Sequence, residues 1–266
     1  MNLQPAPGHK TIIGMVHLAP LPGTPFYERG SLTEIIARAV AAARALDEGG
    51  ADGCLVQTSD RIYTTKDLSD PARVAAMSLV VRAVVDATRD GFEVGVHMLR
   101  NDLIASLAVA QVAGATFIRA GAFIGRTETV HGLVEPDTVR ALEYRTKIGA
   151  ESVAILADVH SMHFRPLDPA KSVGEVAKNA RLAGAAAVAV CTPDPATTLR
   201  LLDDVRAVDP AARVLLAGYT NHDNITTLIR KADGAYVGGC LEREHGVVDL
   251  DLVTSFVHLV RGLEQE

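Results

Sequence analysis

Eight short apolar runs recur along the chain, and this repetition constrains the fold more than any other feature of the sequence. Each run is almost continuously apolar over its first half. Strands of this kind are typical of a parallel sheet that is covered on both faces. The runs are Thr11 to Leu18, Gly53 to Thr58, Glu93 to Leu99, Thr116 to Gly121, Val153 to His160, Ala186 to Thr192, Arg213 to Tyr219 and Gly234 to Gly239.

Between the runs, apolar residues recur at helical spacing, so a predicted helix follows each predicted strand. Ser31 and Glu34 have the spacing of a capping box at the start of the first helix. A helix cap at Asn101 or Asp102 and a stop at Gly114 bound another. Aspartate followed by proline predicts three more helix starts, because aspartate caps and proline needs no N–H at the first position. These pairs are Asp70-Pro71, Asp168-Pro169 and Asp194-Pro195.

Eight strands and eight helices in strict alternation predict an α/β fold, a (β/α)8 TIM barrel, in preference to an open doubly wound sheet. The chain has 266 residues, 48% of them hydrophobic, which suits a single domain. We assign residues 1–10 to an N-terminal tail and 11–266 to the barrel.

Charge and composition exclude several classes of partner. The net charge is −6, with 26 basic and 32 acidic residues interspersed, so we expect no nucleic-acid partner, which would require a basic face. The longest uncharged apolar run, which starts at Leu182, is too short to span a bilayer, and no signal peptide is evident. We therefore expect no membrane insertion and a cytoplasmic location. Cys54, Cys191 and Cys240 have no paired spacing, as expected of reduced, mostly buried thiols.

Ionisable residues concentrate where the predicted strands end. In a TIM barrel the carboxyl ends of the strands carry the active site, so these side chains are expected to converge on one pocket. We predict His17, His97, Asp158 and His160 as catalytic residues, and Arg119 as a group that polarises or anchors the substrate.

Asp158 and His160 are predicted to act as a pair. They lie two residues apart on one strand, so their side chains should point to the same side. A carboxylate close to an imidazole favours the charged ring, and the pKa of His160 should then rise above about 6.5. His163 lies past the strand, and we expect it to face solvent or to support the site from outside.

Glycines at the ends of the last two strands predict a phosphate site. Gly218 is followed by Thr220 and Asn221 at a predicted helix start, and Gly238 and Gly239 precede a predicted short helix. In phosphate-binding barrels these two loops offer backbone N–H groups to a phosphate. A side chain there would keep the phosphate oxygens away from the amides.

The sequence resembles the BtpA/SgcQ family over nearly the whole chain, roughly Thr11 to Leu263. The most specific motif is IGMVHLAPLPGTP, Ile13 to Pro25, which is similar to the opening signature of the family. The resemblance implies a barrel related to the phosphate-binding group. It also implies a link to photosystem I assembly, for which the family is named, or to sugar metabolism. Further blocks are VGVHMLRND (Val94 to Asp102), FIRAGAFIG (Phe117 to Gly125), ILADVHSMH (Ile155 to His163) and ADGAYVGG (Ala232 to Gly239).

The chain departs from the family pattern at four places. The asparagine expected near His97 is absent, and Gly218–Thr220 replaces a Gly-Ser-Gly type turn. Gln57-Thr58 stands where the family has Glu-Asn, and the family lysine near Glu242 is missing. These changes imply a substrate different from that of typical members.

Three functions remain open from the sequence. The first is an enzyme that acts on a phosphorylated small molecule, such as a sugar phosphate or a nucleotide-derived compound, by general acid–base chemistry. An isomerisation, an aldol-type cleavage or a glycosidic-bond cleavage would fit, whereas a Schiff-base aldolase is disfavoured because no lysine ends a strand. The second is a metal-dependent hydrolase with His17, His97, Asp158 and His160 as ligands.

The third function is a non-catalytic assembly or binding factor. No cofactor is specified by the residues, and a divalent metal is left open through the second function. The expected partner is a phosphorylated small molecule, and a homo-oligomer is left open.

Overall fold

Eight parallel strands close into a barrel in the computed structural model, which describes residues 8–59, 63, 66, 68–168 and 170–264. Each strand pairs with its neighbours in chain order, and β8 closes the barrel on β1. The predicted TIM barrel is therefore confirmed. The strands are β1 Thr11–Leu18, β2 Gly53–Thr58, β3 Glu93–His97, β4 Phe117–Ala120, β5 Ala154–His160, β6 Ala187–Val190, β7 Val214–Ala217 and β8 Gly234–Val237.

A helix follows each strand, and the seventh helix is a single turn. Asp70, Asp102 and Asp194 each accept a hydrogen bond from a backbone N–H of the helix they cap. Gly114 ends its helix with a φ of 83°, a left-handed conformation that glycine adopts readily. The helices are α1 Leu32–Glu48, α2 Pro71–Ala87, α3 Leu103–Ala113, α4 Thr138–Lys147, α5 Val173–Leu182, α6 Pro195–Val208, α7 Ile225–Leu228 and α8 Leu250–Leu263.

One predicted capping box and one predicted helix start are wrong. Helix α1 does begin after Ser31, but the Ser31 hydroxyl donates to the Glu28 carbonyl instead of capping the helix, and Glu34 pairs with Arg38 on the exposed surface. Helix α5 begins after Ser172, which forms a full capping box with Glu175. The predicted start at Asp168-Pro169 thus lies before the helix, and Pro169 itself is outside the described residues.

Two apolar layers result from the alternation of side chains along the strands. Side chains such as Leu55, Phe117, Leu156 and Tyr236 pack inside the barrel. A larger set packs between the sheet and the helices. Gly95 makes room in the interior, because a Cβ atom there would lie 2.2 Å from the Phe117 ring.

Two hairpins extend the loops at the carboxyl ends of the strands. Thr127–Thr129 pairs with Gly132–Val134 between β4 and α4, and Glu242–Glu244 pairs with Val247–Val248 between β8 and α8. None of the helices in the described ranges has the length and apolar character needed to cross a membrane.

The three cysteines are unpaired. Cys54 and Cys191 are buried, and Cys240 is half-buried. Burial raises the pKa of the Cys240 thiol to about 11, so this thiol stays protonated near neutral pH.

Candidate active site at the barrel mouth

Each of five consecutive strands carries an inward-facing polar side chain near its carboxyl end. The side chains stand on β1 to β5 directly above the apolar interior, because residues two apart on a strand face the same side. The barrel therefore gathers most of the predicted residues at one mouth. These side chains are His17, Gln57, His97, Arg119 and Asp158.

Arg119 and Asp158 form a buried, bidentate ion pair. Nε of Arg119 donates to Oδ1 of Asp158 at 2.9 Å, and Nη2 donates to Oδ2 at 2.8 Å. The exposed fractions of the two side chains are 4% and 0%. Burial alone would lower the pKa of Arg119, but the Asp158 carboxylate raises it above the ordinary value. The guanidinium also lies over the Tyr236 ring, 4.7 Å from its centroid.

The Asp158 carboxylate is fully engaged. In addition to Arg119, it accepts a hydrogen bond of 2.5 Å from the Ser161 hydroxyl. An ionised carboxylate in this environment holds the guanidinium in place. The geometry gives Asp158 a positioning role toward Arg119 and leaves its predicted part in proton transfer without support.

His160 does not form the predicted pair with Asp158. A bulge between the two residues puts His160 in register with Val190, which packs in the outer layer. An extra residue in a strand switches the following side chains to the opposite face of the sheet. Residues two apart across the bulge therefore no longer point to the same side. Burial lowers the pKa of His160 below its ordinary value, so the predicted rise is wrong. Its Nδ1 is buried without a hydrogen-bond partner among the described residues.

His17 is held by a carboxylate that the sequence did not indicate. Its Nδ1 lies 2.7 Å from Oε1 of Glu242, and the other oxygen of Glu242 accepts from the Gly246 N–H at 3.1 Å. A carboxylate only accepts, so Nδ1 of His17 is the donor, and Nε2 is the acceptor of the ring in its neutral form. Burial would raise the pKa of Glu242, but the hydrogen bonds from His17 and Gly246 lower it overall.

His97 is almost completely buried. Its Nδ1 lies 2.9 Å from the Gln57 side-chain oxygen, and Nε2 is without a partner in the part of the chain that the structure describes. Burial, together with the charges of Arg119, His163 and Arg100, lowers its pKa well below the ordinary value. His97 is thus a neutral imidazole near neutral pH.

His163 belongs to the mouth, contrary to the expectation from the sequence. Ser161 makes the turn that returns the chain, because its hydroxyl accepts the His163 N–H at 3.0 Å and its own N–H donates to the Phe164 carbonyl at 2.7 Å. Serine between Asp158 and His163 was the available signal for this turn.

The Arg100 guanidinium fixes the state of the His163 ring. Its Nη1 lies 2.9 Å from Nδ1 of His163. Arginine only donates, so Nδ1 accepts and Nε2 carries the proton. Burial and the charges of Arg119, Arg100 and His17 lower the pKa of His163 well below its ordinary value. A neutral ring with a donor N–H therefore faces the mouth.

A cavity of about 230 Å³ occupies the mouth. Arg119, His17 and His163 supply its basic side chains, and no carboxylate is among its described lining residues. Apolar side chains, uncharged polar side chains and backbone groups complete the wall. The remaining lining residues are Met15, Gln57, Met162, Ala217, Gly218, Tyr219, Thr220, Tyr236, Gly238 and Gly239.

The predicted phosphate loops reach this cavity with a different local structure. Gly218 and Tyr219 both have a positive φ, 89° and 57°. The predicted helix start at Thr220 and Asn221 is wrong, since α7 begins at Ile225. The Asn221 side chain accepts from the backbone of its own turn and does not line the cavity.

The loop after β8 leaves its backbone accessible. The predicted short helix is a single 3-10 turn, Gly239–Leu241. An added Cβ atom at Gly238 would lie 3.3 Å from Cε1 of His17, whereas at Gly239 it would meet no atom within 4 Å.

The predicted set of metal ligands is not assembled. Asp158 is bound to Arg119, His97 to Gln57, and His160 faces the outer layer. Within the described ranges, one group of His, Cys, Asp or Glu brings three ligand atoms within 4.8 Å of one another. That group is His17, Glu242 and His245.

A larger cavity of about 790 Å³ lies between the loops after β4 and β5. Its floor includes Phe123 and Phe164. None of the predicted site residues lines it. We place the candidate active site in the cavity of about 230 Å³, because His17 and Arg119 from the strand ends line it and do not line the larger one.

Comparison with known proteins identifies the family. A family model described as the BtpA family matches residues 8–262. The chain belongs to the BtpA family. The Photosystem I biogenesis protein BtpA of Synechocystis is 33% identical to this BtpA-family chain, over 97% of the chain and 91% of the relative.

Solved structures with the same fold include enzymes of low sequence identity. Tryptophan synthase from Mycobacterium tuberculosis superimposes with a TM-score of 0.62 at 18% identity, covering 96% of this chain and 95% of that one. Orotidine 5′-phosphate decarboxylase from Pyrococcus horikoshii gives a TM-score of 0.56 at 14% identity, covering 95% and 100%. At these identities the likeness shows the TIM-barrel fold alone.

Proposed function

We propose that this BtpA-family protein is an enzyme that acts on a phosphorylated small molecule at the barrel mouth. One observation carries the proposal: the buried guanidinium of Arg119 lies at a cavity with no carboxylate among its described lining residues. Asp158 pairs with Arg119 but does not line the cavity, so the wall presents the remaining donor of the guanidinium and no carboxylate to repel an anionic ligand.

The phosphate would be held by Arg119 and by backbone amides. Asp158 bonds to Nε and Nη2 of Arg119, so Nη1 takes part in neither bond and can donate to an oxygen of the ligand. The open space at Gly239 lets phosphate oxygens approach the backbone of the loop after β8. His163 adds a donor N–H from a neutral ring.

His17 is the group that the geometry favours for proton transfer. Glu242 orients the ring and leaves Nε2 as an acceptor, the arrangement in which a carboxylate supports a histidine base. Asp158 positions Arg119 in this mechanism, and His160 has no part in it. The reaction class stays an isomerisation, an aldol-type cleavage or a glycosidic-bond cleavage.

The comparisons support the class of ligand only by analogy of fold. The decarboxylase from Pyrococcus horikoshii has a phosphorylated compound in its name. The name of the Synechocystis relative instead favours the alternative of an assembly or binding factor. A binding test separates the two functions.

Isothermal titration with inorganic phosphate and with sugar phosphates tests the site, with chloride at matched ionic strength as the reference. Arg119→Lys should weaken binding by at least about tenfold, because lysine cannot keep the fork geometry. Gly239→Val should block approach to the backbone. Gly262→Val is the matched control, since an added Cβ atom meets nothing within 4 Å at either glycine.

Turnover is then followed by mass spectrometry on each compound that binds. Loss of turnover in His17→Gln with binding retained would support its role in proton transfer. Equal phosphate binding by the parent and Arg119→Lys would contradict the phosphate site. Binding of sugar phosphates without any turnover would contradict the enzyme and favour the binding factor.

A further inference from the structure

We propose that His17, Glu242 and His245 form a binding site for a divalent transition-metal ion. The site shares His17 with the proposed active site, so a catalytic role of the metal rests on the proposed function. Metal binding itself requires no phosphate.

Glu242 stands between the two imidazoles. Its Oε1 lies 2.7 Å from Nδ1 of His17, and its Oε2 lies 3.7 Å from Nδ1 of His245. The two rings stack with centroids 5.1 Å apart. An ion about 2.0–2.2 Å from each ligand atom needs such atoms within a few ångströms of one another, and small rotations of the rings satisfy that requirement.

The fold holds the three residues together. His17 ends β1, and Glu242 begins the hairpin that follows β8, the strand paired with β1. Gly246 turns the hairpin with a φ of 80°, and its N–H holds Glu242. The carboxylate is fixed in position, with 4% of the side chain exposed.

Ser59 orients the third ligand. Its hydroxyl lies 3.1 Å from Nε2 of His245, which leaves Nδ1 of that ring directed toward Glu242. A hydrogen bond to the nitrogen that does not bind the metal is the usual support for a ligating histidine.

Two imidazoles and one carboxylate are ligands for zinc, cobalt, manganese or ferrous ions. Three protein ligands leave coordination positions open for water or substrate. His17 borders the mouth, and together with His245 it also borders a second cavity of about 220 Å³. The ion would therefore stand where a ligand in the mouth can reach it.

Loading with metal changes the state of His17. An ion bound at Nδ1 would take the place of the hydrogen bond to Glu242, and the neutral ring would then carry its proton on Nε2. His17 would serve as a ligand with no lone pair left for proton abstraction, and that task would fall to water bound to the ion.

The test uses the full chain, stripped with a chelator and dialysed. Cobalt(II) is titrated by visible absorption and zinc by calorimetry. One ion per chain is expected, and His245→Ala and Glu242→Gln should each weaken binding by about 100-fold or more, since losing even a supporting group reduces metal affinity by about 10–100-fold. His258→Ala, an exposed histidine on α8, is the matched control.

Arg119→Lys separates the two proposals, because it should lose phosphate binding and keep the metal titration. Absence of stoichiometric binding in the parent would overturn the metal site. Equal affinity of His245→Ala and His258→Ala for zinc would also overturn it. Because His245 is mostly exposed, with 69% of its side chain accessible, its removal should leave the fold intact.

Discussion

Replacement of Asp158 by asparagine should destabilise the protein strongly. The substitution keeps the shape of the side chain and removes its charge. Arg119 then remains buried at 4% exposure without a counter-ion. Breaking a buried ion pair on one side leaves an uncompensated charge, which typically costs about 3–5 kcal/mol.

The hydrogen bonds that the substitution disrupts give a similar loss in the free energy of unfolding. The asparagine oxygen can still accept from Nε of Arg119, but its NH₂ group would face Nη2, a donor against a donor. One charge-assisted bond is lost outright and the other is weakened, and each contributes about 1.5–3 kcal/mol. We therefore expect the free energy of unfolding to fall by about 3–5 kcal/mol.

Urea denaturation followed by far-UV circular dichroism measures this change. Asp86→Asn is the control, because Asp86 also pairs with an arginine but lies on the exposed surface, where ion pairs contribute little. Arg119→Met in the Asp158→Asn background removes the unpaired charge, and the double variant should be more stable than Asp158→Asn alone. A loss below about 1 kcal/mol in Asp158→Asn would refute the reasoning about the buried pair.

The same variant tests the link between Arg119 and phosphate. The unpaired guanidinium of Asp158→Asn should gain more from an added anion than the paired guanidinium of the parent. Phosphate should therefore raise the unfolding midpoint of Asp158→Asn more than that of the parent. An equal shift in both proteins would place the phosphate elsewhere.

Three further substitutions test the pKa of His97, the packing at Gly95 and the cap of α5 at Ser172. Because the pKa of His97 is lowered in the folded state, the unfolded state binds the proton first as the pH falls below about 6.5. His97 should therefore reduce the free energy of unfolding by about 1 kcal/mol between pH 7 and 5.5. Denaturation of the parent and of His97→Gln at both pH values checks that the variant lacks this pH-dependent loss. Gly95→Ala should destabilise by about 1–3 kcal/mol, because the added methyl would overlap the Phe117 ring, and a melting temperature equal to that of the parent would contradict this packing. Ser172→Ala should cost about 1 kcal/mol by removing the capping box with Glu175, and unchanged urea stability would show that α5 does not need the cap.

The sequence by itself determined the elements and the end of the barrel that carries the site. Strand β1 runs from Thr11 to Leu18 and strand β2 from Gly53 to Thr58, as the apolar runs predict, because short-range patterns of burial and turn residues specify them. Their position at the ends of the predicted strands placed His17, His97 and Arg119 at one end of the barrel. No knowledge of the strand neighbours was needed for that step.

Only the tertiary structure decided which of these side chains meet. Arg119 pairs with Asp158 because β4 and β5 are adjacent in the barrel. His160 is lost from the site through a bulge that depends on pairing with β6, and Glu242 reaches His17 because β8 closes on β1. Such contacts join residues up to 225 positions apart in the chain. Local patterns cannot specify them, because they form only when closure of the sheet brings distant strands side by side.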